Sequence, residues 1–223
     1  SYGIRNLVAP FRPSRSLYIV EHSELPSAIQ NRSMSRRAAD FVLERLSVLA
    51  FDGQVCASRY LEEFIRSKLP LNKTGRVHYS PYAFTRSILA PDGQRQTNKG
   101  SGKKHILYMG TLARNYGIFQ IMDAIAELRL ENTNFIFVVL GKGRHFNEAV
   151  DYAKKLDLDD FIDFQGYVPE SDLGGYLQRA DVFVAPIFDT VQDIARCPSK
   201  MFMYVLFDRP VVTSCIGEAR ELF

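Results

Sequence analysis

No apolar run in this 223-residue chain approaches the roughly 20 residues needed to cross a bilayer. The stretch from Ser1 to Arg15 lacks the layout of a secretory signal peptide. These absences predict a cytoplasmic protein. Cysteine is scarce too: Cys56, Cys197 and Cys215 are odd in number, far apart and free of metal-ligand spacing. That excludes a disulfide framework and predicts reduced thiols, with Cys56 and Cys215 in apolar strand-like runs of the core and Cys197 in a loop. Neither G-x-G-x-x-G nor G-x-x-x-x-G-K-[ST] occurs, and GKG at 141–143 is too short for a phosphate loop, which disfavours a simple NAD enzyme or P-loop NTPase. His78, His105 and His145 have no companions at ligand spacing, so no metal is expected.

What remains is the balance of a globular protein, 46% hydrophobic and 24% charged, enough to bury a substantial core in one or two domains. The net charge of +3 is local, because PDGQRQTNKGSGKK (91–104) holds four Lys or Arg against one Asp. This stretch contains no apolar residue and can bury nothing, so it reads as a flexible basic linker between domains at 1–90 and 105–223. Nucleic-acid binding would require basic residues interleaved with aromatics on a folded face, and is not expected.

On both sides of that boundary the pattern is α/β. Before it come strand LYIVEH (17–22), a helix whose apolar positions are Ala39, Val42, Leu43, Leu46, Leu49 and Ala50, strand GQVCAS (53–58), a helix over 61–69, and a short strand within 76–84. After it come strands 105–110, 135–141, 161–166, 181–186 and 210–214, with helices between them over 118–128, 148–156, 173–179 and 199–207. Near-continuous Val, Ile, Leu and Phe in the strands predicts parallel sheets covered by helices on both faces. The first half is short for a complete Rossmann-like domain, and the second stops at GEARELF as a helix begins, so the first domain is expected to be incomplete and the second truncated.

In such sheets ligands bind at the carboxyl ends of the strands, where helix N-termini offer unpaired N–H groups. The run CPSKMFMYVLFDRPVV (197–212) puts Ser199 and Lys200 at a helix start, which suits a diphosphate and equally suits a capped helix with a surface lysine. EHSE (21–24) places His22 among polar residues directly after an apolar strand; it is either a cleft residue or a satisfied structural histidine. The basic stretch NRSMSRR (31–37) reads as a solvated helix start.

Five landmarks agree in order and spacing with a known family: YMGTLARNYGIFQIMDAI (108–125), VVLGKG (138–143), FQGYVPESDLGGYLQRADVFVAP (164–186), PSKMFMYVLFDRPVV (198–212) and GEARELF (217–223). Upstream, VCASRYLEEFI (55–65) looks like the last strand and helix before the interdomain linker. Together they resemble the retaining glycosyltransferases of family 4, also called group 1, which have the GT-B fold of two Rossmann-like parallel-sheet domains.

The resemblance implies transfer of a sugar from a nucleoside diphosphate sugar to a glycan or lipid-linked acceptor, with retention of configuration and no metal or other cofactor. It makes Gly110 the glycine where backbone meets phosphate, with Thr111 and Arg114 in the same loop and Ser199–Lys200 across from it. It sets base and ribose against the loops after Gly141 and Gly166, including Tyr167, with Met203 at the ribose position. His22 and Asp193 fall where the transferred sugar and acceptor are handled, in the cleft the family has between its domains. The donor motif is degenerate: Thr111 stands for an arginine, Tyr116 for a lysine, Met203 and Ala195 for acidic residues. A non-catalytic homologue acting as binding partner or scaffold is therefore the alternative. Stretches like 31–37 lie, in some family members, near acceptor- or membrane-facing surfaces, so peripheral membrane contact at the inner face is left open.

Overall fold

A computed structural model describes residues 16–30, 32–83 and 102–223. Packing divides the chain into two compact units that are not continuous in sequence. The first runs up to Tyr82 and takes in Phe188–Pro198 and Cys215–Phe223; the second comprises Ala83–Ile187 and Ser199–Ser214. The sequence-based division gives 188–198 and 215–223 to the second half instead. Of the expected linker, 91–101 lies outside the described residues, while Lys104 already opens a strand.

The first unit has a three-stranded parallel sheet in the order β1 (Ile19–His22), β2 (Gly53–Cys56), β3 (Val77–Tyr79). Helix α1 (Met34–Ala50) connects β1 to β2, and α2 (Arg59–Lys68) leads toward β3. Each helix starts where a serine hydroxyl accepts a backbone N–H: Ser33 from Arg36 at 3.3 Å and Ser58 from Leu61 at 3.1 Å. Leu25, Val48, Cys56, Leu61, Ile65, Val77 and Ala195 form the core of this unit.

Helix α1 does not bury the face expected of it. Val42, Leu46 and Leu49 are exposed, while Asp40, Glu44, Ser47 and Val48 are buried. The inversion is stabilised locally. Arg32 and Arg36 pair with Asp40, and the Glu44 carboxylate accepts the backbone N–H and the hydroxyl of Ser27 at 2.7 and 2.8 Å. A buried carboxylate supplied with donors loses less on desolvation than one left bare.

The second unit has five parallel strands in the order β6 (Ile162–Gly166), β5 (Phe135–Leu140), β4 (Lys104–Met109), β7 (Val182–Ala185), β8 (Val211–Thr213). Helices α3 (Ile118–Glu131), α4 (Phe146–Lys155) and α5 (Glu170–Arg179) make the crossovers. Strand β5 is buried on both faces: Phe135, Phe137 and Val139 pack with Ile118, Met122 and Ile125, and Val138 and Leu140 pack with Leu107, Leu177 and Phe183.

Between β7 and β8 the chain forms α6 (Val191–Ala195), capped by Thr190, which belongs to the first unit, and the short α7 (Ser199–Tyr204), which belongs to the second. The terminal α8 (Glu218–Leu222) packs in the first unit. Cys56 is buried as expected, and Cys197 lies in a loop as expected, although buried there; Cys215, expected in the core, is exposed because β8 has already ended at Thr213. Burial pushes the Cys56 thiol up to about 12.

Candidate functional site

In the five-stranded sheet, successive crossovers run outward from β4 to β5 and β6 on one side, and to β7 and β8 on the other. Such a reversal of strand order leaves an opening at the carboxyl ends of the strands flanking it, here β4 and β7. Gly110 stands at that point, directly after β4.

Three loops meet there, and glycines let them. A Cβ on Gly141, whose φ is +135°, would lie 1.9 Å from the carbonyl oxygen of Gly110, and one on Gly143 would lie 2.3 Å from that of Leu112. Their absence allows the backbone bonds Gly110 N–H to Leu140 O at 2.9 Å, Leu112 N–H to Lys142 O at 3.1 Å and Gly141 N–H to Gly166 O at 2.6 Å. Thus GKG is a packing device that joins the ends of β4, β5 and β6. Gly110 itself has no room for a side chain, since a Cβ would meet the Tyr108 hydroxyl at 2.4 Å. That hydroxyl lies 3.2 Å from the Thr111 carbonyl and 3.4 Å from that of Tyr116, fixing the loop after β4 from beneath.

Around this rim Thr111 and Tyr167 are exposed. Lys142 is exposed as well, and its Cε would be 3.4 Å from a Cβ placed on Gly166. Sequence reading passed over this cation because its neighbours drew attention only as a failed phosphate motif. Arg114 is turned to α4: it pairs with Glu148 and its guanidinium lies 5.0 Å from the centre of the Phe119 ring.

Helix α7 joins the same region. Met109 donates its N–H to the Tyr204 hydroxyl at 3.1 Å, and the Tyr204 ring stacks on Phe183 with centroids 4.3 Å apart. The Thr213 hydroxyl, at the end of β8, lies 3.8 Å from the Met201 sulfur. Ser199 is half-buried and Lys200 exposed. Met203, expected at the ribose, is buried and packs in the core with Leu107 and Leu140.

The remaining predicted residues belong to the first unit. His22, 1% exposed, ends β1 with Nε2 at 2.7 Å from Gln54 Oε1. Burial lowers its pKa below 6.5, partly offset by that bond, so the ring is neutral near pH 7. Asp193, 3% exposed, accepts the Phe188 N–H on Oδ2 at 2.8 Å. Its Oδ1 is 2.7 Å from Arg196 Nη2, an ion pair whose angle is not that of a hydrogen bond. Its segment is tied down by Ser58 Oγ to Ala195 O at 2.6 Å and by Gln30 N–H to Gln192 Oε1 at 3.1 Å. Among the described residues no three His, Cys, Asp or Glu side chains gather as a metal site.

Comparison with known proteins agrees with this architecture. The glycosyl transferases group 1 family matches residues 91–189, which include β4 to β7 and the three joined loops. Alpha-monoglucosyldiacylglycerol synthase of Streptococcus pneumoniae (strain ATCC BAA-255 / R6) is 26% identical over 84 residues, 38% of this chain and 19% of that protein. Anabaena HepE, solved with UDP and glucose, superposes with a TM-score of 0.74 at 14% identity over 99% of this chain and 58% of its own. WaaG, a glycosyltransferase of lipopolysaccharide biosynthesis, gives 0.69 at 14% identity over 98% and 64%. The chain thus spans well under two thirds of the synthase and of HepE, and about two thirds of WaaG. Over residues 91–189 it matches the group 1 glycosyl transferases, and its α/β fold is of the GT-B type.

Proposed function

We propose that this chain forms part of a retaining glycosyltransferase that moves a sugar from a nucleoside diphosphate sugar to a glycan or lipid-linked acceptor, without a metal or other cofactor. The observation carrying the reading is a coincidence of place. The strand-order reversal, the side-chain-free Gly110 and the group 1 match fall on the same end of the same sheet.

In this reading the diphosphate lies against the backbone at Gly110–Thr111, with the Thr111 N–H as donor, and the base and ribose against the loops at Gly141 and Tyr167. The departing diphosphate accumulates negative charge in the transition state, which preorganised donors and cations stabilise. Thr111 and Tyr116 supply no cation, and Arg114 is engaged with Glu148. The exposed Lys142 and Lys200 take that part. His22 and Asp193 are buried and bonded within the protein, so we assign them as positioning residues for the loops after β1 and before α7. The three free thiols fit a reducing compartment, so the proposed setting is the cytoplasm or the inner face of its membrane.

The engaged Arg114 and inward Met203 favour one second reading, a homologue that binds without catalysing. Calorimetry of the complete protein against UDP-, GDP- and ADP-sugars, followed by an assay for transferred sugar, separates them. Binding with transfer is expected; binding without transfer to any acceptor supports the second reading, and no binding of any donor sinks both.

A further inference from the structure

We propose that Tyr108 is a positioning residue: its buried hydroxyl holds the loop after β4 so that one backbone group, the Thr111 N–H, is presented to the diphosphate. This deepens the transferase reading and rests on it. Tyr108 and Gly110 lie two residues apart at the end of β4, so both project to one face of the sheet. The ring, 4% exposed, reaches beneath the loop because Gly110 has no Cβ, which would stand 2.4 Å from its hydroxyl.

The hydrogen bonds of the loop leave one N–H over. Gly110 gives its N–H to Leu140 O, Leu112 to Lys142 O, and Ala113 to Thr111 O at 3.0 Å, while Arg114 gives its own to His145 Nδ1 at 3.2 Å. Thr111 stands among them, exposed, with no acceptor for its N–H among the described residues.

The peptide groups on either side of Thr111 are fixed. The carbonyl oxygen of Gly110 is packed so closely on Gly141 that a Cβ there would lie 1.9 Å from it. The Thr111 carbonyl accepts the Tyr108 hydroxyl at 3.2 Å beside the Ala113 N–H. The same hydroxyl lies 3.4 Å from Tyr116 O, so one buried group spans the loop from Thr111 to Tyr116. A donor held in place before the anion arrives needs no reorganisation as negative charge develops. Phenylalanine would fill the same space and hold neither carbonyl.

Tyr108→Phe in the complete protein tests this by calorimetry with UDP, GDP and ADP, each beside its nucleoside. The best-bound nucleoside diphosphate is expected to weaken by about fivefold or more, the worth of one hydrogen bond, and the matching nucleoside by less than about twofold. A tyrosine that only packed the domain would weaken both alike or neither. Amide hydrogen exchange without nucleotide should quicken over residues 111–117 and stay unchanged over β6. Tyr152→Phe, which removes a hydroxyl bonded to Asp123 at 2.6 Å in the same unit, should alter neither readout. A diphosphate bound equally by both proteins, or unchanged exchange over 111–117, would overturn the proposal and leave the transferase reading in place. An unaltered protein that binds none of the three nucleotides would sink both.

Discussion

Gly141 shows how much a missing side chain can decide. Its φ of +135° and the 1.9 Å that a Cβ would leave to Gly110 O make alanine doubly unfavourable. Overpacking and backbone strain each cost on the order of 1–3 kcal/mol. Gly141→Ala should therefore lower unfolding stability by at least about 2 kcal/mol in urea titration; an unchanged midpoint would contradict the joined-loop description. Lys142 and Lys200 make the opposite kind of prediction, since a charge-assisted contact to phosphate contributes about 1–3 kcal/mol to binding. Either alanine substitution should weaken donor affinity roughly tenfold or more by calorimetry with stability unchanged. At His22 the prediction concerns pH. Its folded pKa lies below its unfolded value of about 6.5, so the unfolded chain binds the extra proton first and stability falls as pH drops below about 6.5. His22→Gln should make the loss between pH 7 and pH 5.5 smaller; an equal loss in both proteins would show that this ring does not carry it.

At the scale of elements, most strands and helices were legible in the sequence because hydrophobic runs and periodicity are local properties. Strands β5 to β8 each fall inside the segment read for them, and β4 starts one residue before its own, at Lys104. Helix α1 exists where the period puts it, yet its buried side was misread. Apolar residues were assumed to face inward, whereas partners contributed by Arg32 and Ser27 make burial of Asp40 and Glu44 tolerable. No single-residue scale contains that information. The small α6 escaped for a related reason, since five residues are too few to show a period and nothing local sets its cap at Thr190 apart from Thr111 or Thr133. Helix α8 offers a test of such polar anchoring. Glu218, 2% exposed, accepts the Arg59 backbone N–H and, at 2.6 Å, the Tyr79 hydroxyl. Removing it leaves two part-buried donors unmatched, so Glu218→Ala should cost about 1–2 kcal/mol and Glu218→Gln clearly less. Chemical denaturation of the two variants side by side decides this, and equal effects would argue against the hydrogen bonds.

For the molecule as a whole, the sequence showed two α/β halves but could not show which of them receives each late segment. Residues 188–198 and 215–223 pack with the first unit because Ala195, Gln192 and Glu218 find their partners there, and those contacts span more than a hundred positions of sequence. The same blindness applied to the candidate site. Gly110 and the glycines of 141–143 were visible as residues, while their mutual contact was not. The strand-order reversal that gives them meaning appears only with the sheet assembled. The account depends on that end of the sheet being where a sugar donor's diphosphate binds. A crystal structure of the complete protein soaked with UDP or UDP-glucose tests it most directly. The account predicts phosphate oxygens packed against the Gly110 backbone and within hydrogen-bond distance of the Thr111 backbone N–H, and a nucleotide held elsewhere on the protein would contradict it.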